Sequence, residues 1–185
     1  ASGEERAVKK FICMLLAMAF LASGAASCAS EGFSVAAKGA VLIDAKSGRV
    51  LFGQNENERF PMASTTKIMT ALLALENCAL DEEVTASENA SGVPGTSIYL
   101  GVGETLTMEE MLYGLLLRSG NDAAVAIAEH VSGSAEAFAA RMNARAAELG
   151  ADAHFENPHG LDADGHEASA LALARIFRQA MQNGD

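Results

Sequence analysis

Residues 63–76 read Ala-Ser-Thr-Thr-Lys-Ile-Met-Thr-Ala-Leu-Leu-Ala-Leu-Glu. From Ser64 onward, Ile68, Met69, Leu72, Leu73 and Leu75 fall at helical spacing, with Ala71 and Ala74 between them. That periodicity predicts a helix with a wide apolar surface. Ser64 and Lys67 stand three apart, which on a helix places their Cβ atoms on one face, roughly 5–6 Å from each other. The lysine amine then reaches the serine hydroxyl. A hydroxyl is a weak nucleophile without a base. A lysine becomes that base when burial or a neighbouring cation draws its pKa toward neutrality. The free N–H groups at a helix start also favour negative charge, which suits an anionic tetrahedral intermediate. A purely structural reading fits the same residues, with Ser64 as an N-cap and Lys67 as a solvated first-turn residue.

On the N-terminal side, residues 36–44 (AAKGAVLID) and 49–54 (RVLFGQ) are short apolar runs joined by Ala45-Lys46-Ser47-Gly48. They predict a β-hairpin. A two-stranded hairpin is marginal alone. Either helices cover it or further strands follow Asp185, and the second arrangement is the expectation. On the C-terminal side, Gly92, Pro94, Gly95, Gly101 and Gly103 mark residues 83–106 as loop with short strands such as Ser97–Leu100. Thr107 with Glu110 three residues on is a capping box that opens a helix through Leu117. Further helices are expected from Asp122 to Val131, from Ser134 to Leu149 with Gly150 as stop signal, and from Ser169 onward. A loop rich in Gly, Asp, Asn and His spans 151–168.

The chain ends of this 185-residue sequence read differently from its middle. Lys9 and Lys10 precede a run of about a dozen apolar residues, Phe11 to Ala22, and then small residues through Ser30. Residues 1–29 are therefore expected to be a signal peptide cut after Ala29, leaving residues 30–185 as the secreted or periplasmic, cell-envelope-associated chain. Arg6, Lys9, Lys10, Glu4 and Glu5 would leave with it, moving the net charge from −11 to −12. Cys13 and Cys28 would leave too, so Cys78 alone would remain and no internal disulfide could form. The acidic balance and lack of a basic run exclude a nucleic-acid partner, because phosphate contacts need clustered Lys and Arg.

Ser119-Gly120-Asn121 lies between two expected helices, where a loop on a rigid scaffold holds polar side chains in place. Ser119 can relay a proton, and Asn121 can both donate and accept. Alone, the triplet fits a helix-to-helix link equally well. Together with Ser64-Thr65-Thr66-Lys67 it resembles the first two motifs of the penicillin-recognising serine D-alanyl-D-alanine carboxypeptidases, the low-molecular-mass penicillin-binding proteins. The likeness includes 63–76, 117–124 (LRSGNDAA) and 157–165 (NPHGLDADG), and runs from about Ala37 to the end.

The resemblance implies an α+β fold of the β-lactamase/transpeptidase-like type. It has an N-terminal β-hairpin and a helical subdomain, with the rest of the antiparallel sheet outside this chain, so residues 30–185 would be the N-terminal part of a catalytic domain. It implies that Ser64 attacks the carbonyl between the last two D-alanines of a peptidoglycan pentapeptide. Lys67 would take the proton, Ser119 would help pass one to the leaving D-alanine, and Asn121 would orient the substrate amide. The Ser64 backbone N–H would be one oxyanion donor. β-Lactams would acylate the same Ser64 as covalent inhibitors. No cofactor and no metal are implied. The family's third motif, Lys-Thr-Gly, supplies a cation for the substrate carboxylate and the other oxyanion donor, and it is absent from this sequence. These residues alone are therefore expected to be inactive. Membrane association would come through a C-terminal segment that this chain lacks.

Two rival readings keep the same motifs. A serine β-lactamase would need an acid to activate the deacylating water, for which Glu156 is the nearby residue. A penicillin-binding or sensing domain would keep the fold without turnover. The remaining polar residues read as structural: His159 and His166, seven apart in a loop, lack a third metal ligand. Cys78 reads as core or partly buried, Glu109 and Glu110 as helix-start carboxylates, and Arg118 as a cation near a helix C-terminus.

Overall fold

The helix read from residues 63–76 sits between two hydrophobic cores. The structure is a computed structural model in which residues 33–184 are described. The expected signal peptide, residues 1–29, lies outside them. Helix α1 (Lys67–Asn77) follows a 3-10 turn, Ala63–Thr66, that β3 (Arg59–Pro61) leads into. One face of α1 (Ala71, Ala74) packs with Met108, Met111, Leu112 and Leu115 of α3 (Met108–Leu117) and Ala124 and Ile127 of α4 (Asn121–Ser132). The other face (Met69, Leu72, Leu73) meets Phe138 and Met142 of α5 (Ala135–Glu148) and Ile176 of α6 (Ala170–Ala180). The apolar residues ring α1 because both sides are buried. Each fully buried Leu, Met or Phe contributes about 1.5–3 kcal/mol.

The strands are short. β1 (Ala40–Ile43) and β2 (Val50–Gln54) form the expected antiparallel hairpin. Helix α6 flanks it, with Val41 and Ile43 facing Ala174 and Phe177 across a groove. Arg178 donates to the carbonyls of Ala45 and Lys46 in its turn. Leu42, Val50 and Leu51 remain exposed. β3 pairs with β7 (Glu167–Ser169), and β7 with β6 (Ala153–His154), a three-stranded piece that sequence periodicity does not anticipate. Strands of two or three residues are too short to show alternation.

Residues 83–106 are loop with short strands as expected, but the strands are not where the sequence reading put one. Ser97–Leu100 is not a strand. The ladder here pairs β4 (Glu83–Thr85) with β5 (Thr105–Thr107), and the short helix α2 (Glu88–Ser91) lies between them. The backbone N–H groups of Ile98 and Leu100 bond the buried Asp122 carboxylate instead of a neighbouring strand. The expected helix starts hold. Thr107 and Glu110 form the reciprocal capping box at α3. Ser134 and Ser169 accept from the N–H three residues on, at α5 and α6. Among the described residues, no helix is long and apolar enough to cross a membrane.

Candidate active site

Ser64 does not cap α1. It lies inside the 3-10 turn, and the residue before the helix is Thr66, which makes no side-chain cap bond. In a 3-10 turn, side chains at i and i+3 eclipse, so Ser64 stands directly beneath Lys67. The outcome is a Lys67 Nζ to Ser64 Oγ distance of 3.2 Å. Ser64 is exposed, whereas Lys67 is only 2% exposed. The two residues therefore split as the reactive reading requires, with an accessible hydroxyl over a buried amine.

Lys67 Nζ also lies 2.7 Å from Asn121 Oδ1 and 2.7 Å from the His159 carbonyl oxygen. Asn121 Nδ2 donates to the Pro94 carbonyl at 2.7 Å, which fixes the amide so that its oxygen faces the amine. Both short contacts are thus to pure acceptors. A neutral amine has two N–H groups and one lone pair. With a pKa of about 8 the ammonium predominates at neutral pH and donates to Ser64 Oγ as well; once that proton is lost, the two N–H groups held by Asn121 and His159 leave the lone pair facing Ser64 Oγ. Among the described residues no carboxylate bonds Nζ to stabilise the ammonium, and burial lowers the Lys67 pKa to about 8.

Three segments hold this arrangement. The loop after β6 docks on the first turns of α1. His166 Nδ1 accepts from the Glu156 N–H at 3.0 Å, so its Nε2 carries the proton and donates to Thr66 Oγ1 at 2.8 Å. Thr70 Oγ1 donates to the Pro158 carbonyl at 2.6 Å. Asn157 Oδ1 accepts from the Gly160 N–H at 2.7 Å. Gly160, at φ +92°, passes so close to the turn that a Cβ would fall 1.9 Å from the Ala63 carbonyl oxygen. On the other side, the Asn121 N–H donates to the Thr96 carbonyl at 2.7 Å. Asp122, 1% exposed, gathers Ser97 Oγ and the N–H groups of Ile98, Leu100 and Ala123. Burial alone would raise the Asp122 pKa, but these hydrogen bonds outweigh it and hold it below the usual range.

Ser119 lines the same cleft as Ser64 and Lys67, together with Ile68, Leu115 and Leu116. Its φ of +56° turns the chain sharply between α3 and α4. The structure therefore brings together all four residues picked out by sequence: Ser64, Lys67, Ser119 and Asn121. It adds Thr66, His166, Gly160 and Asp122 as the residues that fix them. Thr66, Asp122 and Gly160 lie inside the segments 63–76, 117–124 and 157–165, and His166 follows the last of them by one residue, so no spacing rule marked it. His159 contributes its backbone carbonyl. Its ring Nδ1 accepts from the Leu161 N–H at 3.1 Å, and burial, followed by the nearby Lys67 charge, lowers its pKa to about 4. Glu156 pairs with His154 Nε2 at 2.7 Å and does not line the cleft. Arg118 is the exposed residue that ends α3.

Known proteins are similar to this chain in sequence and in fold. D-alanyl-D-alanine carboxypeptidase DacF of Bacillus subtilis is 44% identical over 152 residues, covering 79% of this chain and 39% of that protein. DacB2 of Mycobacterium tuberculosis is 40% identical over 146 residues, covering 77% of this chain and 50% of that protein. Among solved structures, penicillin binding protein 6B of Escherichia coli superposes with a TM-score of 0.79 at 31% identity, covering 84% of this chain and 53% of that one. The chain thus spans half or less of the length of these two curated relatives. The fold is the mixed helix-and-sheet fold of penicillin-binding proteins and transpeptidases. The D-alanyl-D-alanine carboxypeptidase family, peptidase S11, matches residues 25–185, and the chain belongs to that family.

Proposed function

We propose that the protein containing this chain is a serine D-alanyl-D-alanine carboxypeptidase acting on peptidoglycan stem peptides outside the cytoplasm. The observation that carries the reading is the buried Lys67 amine, its two N–H groups held by Asn121 and His159, facing the exposed Ser64 hydroxyl. Lys67 draws the proton as Ser64 Oγ forms a bond to the carbonyl carbon of the penultimate D-alanine. The Ser64 N–H meets the developing oxyanion. The tetrahedral intermediate collapses, the C–N bond breaks, and the terminal D-alanine leaves with a proton passed through Ser119. Water then hydrolyses the ester and frees Ser64. β-Lactams enter the same sequence and stop at the acyl-enzyme.

Lys-Thr-Gly is not present in these 185 residues, so turnover belongs to a chain that includes it. The signal-peptide reading of residues 1–29 supports an envelope location. Against a β-lactamase stands Glu156, whose carboxylate is paired with His154 instead of lining the cleft. The test is covalent labelling by a fluorescent penicillin in the full-length protein. Labelling is expected at Ser64, and Lys67→Ala is expected to slow it by about 10²–10⁴-fold, the usual worth of a positioned base. Unchanged labelling of Lys67→Ala would overturn the mechanism. Release of D-alanine from a D-Ala-D-Ala peptide separates a carboxypeptidase from a binding or sensing domain, and rapid nitrocefin turnover would identify a β-lactamase.

A further inference from the structure

Away from the cleft, three side chains of metal-ligating type converge where α1 and α4 end. Cys78 is the residue that terminates α1, Glu82 follows four residues later, and His130 lies in the last turn of α4. One ligand atom from each lies within 4.8 Å of the other two. His130 Nε2 is 3.1 Å from Glu82 Oε2. The second Glu82 oxygen accepts from the Ala79 N–H at 2.6 Å, which orients the carboxylate.

We propose that Cys78, Glu82 and His130 form a zinc-class metal site, with water in the fourth position. A thiolate, an imidazole nitrogen and a carboxylate oxygen are the donor types of tetrahedral zinc, whose bonds of about 2.0–2.3 Å set donors roughly 3.3–3.7 Å apart. The three donors, all within 4.8 Å of one another, would close by about 1 Å around the ion to reach that spacing. The surroundings favour a cation. Two helix C-termini meet here, and their last carbonyls carry partial negative charge. The nearby cation, Arg141, is engaged with Asn77 Oδ1 and, at 3.2 Å, with the Val131 carbonyl. On binding, the Cys78 S–H bond breaks, its proton goes to water and a metal–sulfur bond forms. With the Glu82 carboxylate and neutral His130, the bound dication is then fully balanced.

The position gives the site a purpose. Helix α1 begins at Lys67 and α4 begins at Asn121, the pair joined by a 2.7 Å hydrogen bond. A metal between Cys78 and His130 ties together the far ends of the same two helices, roughly 15 Å from the cleft at 1.5 Å per residue. It acts as a structural clamp and takes no part in the chemistry.

The test uses the full chain carrying Cys13→Ser and Cys28→Ser, stripped with a chelator and titrated with Zn2+ against a chromogenic competitor. One zinc per chain is expected, with a rise in Tm at saturation. Co2+ is expected to give a thiolate-to-cobalt charge-transfer band and tetrahedral d–d absorption. Cys78→Ser, Glu82→Gln and His130→Ala should each weaken Zn2+ binding by about tenfold or more. His154→Ala, which removes a different exposed His–Glu pair, should leave it unchanged. The cobalt spectrum is read on the chain with Cys78, Glu82 and His130 intact, so it decides even if a ligand variant folds poorly. A Co2+ complex without the thiolate band, zinc affinity unaffected by Cys78→Ser, or binding lost in His154→Ala would each overturn the site.

Discussion

A single methyl group at position 160 would collide with the turn that carries Ser64. The Cβ would sit 1.9 Å from the Ala63 carbonyl oxygen and 2.4 Å from its carbon, at a φ of +92° that already disfavours a side chain. Both neighbours are backbone and cannot swing aside. Gly160→Ala is expected to cost about 2–4 kcal/mol in denaturant unfolding, and to slow penicillin labelling of the full-length protein by shifting Ser64. Asp122 makes the opposite kind of prediction, since it is a residue whose removal leaves donors stranded. Its carboxylate accepts from four donors, including Ser97 Oγ at 2.6 Å and the Leu100 N–H at 3.0 Å. Asp122→Asn keeps the volume but replaces an acceptor with an N–H₂ that faces other donors. It is expected to cost about 2–3 kcal/mol, and hydrogen exchange at Ile98 and Leu100 should rise. Because its pKa is lowered in the fold, the stabilisation from Asp122 is present above the ordinary carboxylate range and is lost as pH falls through the lowered value.

At the scale of elements, the 3-10 turn matters more than the helix it introduces. Had α1 started at Ser64 with regular α geometry, the first turn would have presented Ser64 as a cap. The tighter turn stacks residues 64 and 67 instead. The loop after β6 stabilises that turn, with His166, Pro158 and Gly160 all touching residues 63–70. Helix α3 aims the second wall of the cleft, because Ser119 follows its C-terminus and its start is fixed by the Thr107–Glu110 capping box. Thr107→Ala removes the cap acceptor and is expected to cost about 1 kcal/mol, read as a lower urea midpoint with an unchanged m-value. The cleft should be untouched, since Thr107 lies at the far end of α3 from Ser119.

At the scale of the whole molecule, two bases near the cleft, buried Lys67 and half-buried His159, make stability depend on pH in a definite direction. His159 has its pKa lowered from 6.5 to about 4. Between those values the unfolded chain binds more protons than the folded one, so stability rises with pH across that window and falls on acidification. Lys67, lowered from 10.5 to about 8, gives a second rise between those two values, as the cost of a buried ammonium disappears. Thermal midpoints are expected to fall as pH is taken from 6.5 toward 4, and His159→Asn should lose less over that range than the unsubstituted chain. An equal loss in both would remove His159 as a cause.

The sequence by itself determined the hairpin at 40–54, the buried helix after Ser64, the capped helices at Thr107, Ser134 and Ser169, and the four residues of the cleft. The elements are local matters, read from turn residues and apolar periodicity, while the four residues came through the family resemblance that the Ser-x-x-Lys and Ser-Gly-Asn motifs carry together. Only the tertiary structure decided that β3, β6 and β7 pair, that Ser97–Leu100 hangs on Asp122 instead of forming a strand, and that Asn121 and the His159 carbonyl hold two N–H groups of Lys67. The physical reason is range. A three-residue strand carries no periodicity, and a hydrogen bond between residues 67 and 159 leaves no trace in the spacing of either segment. The acidity of an amine depends on the solvent that its distant neighbours exclude.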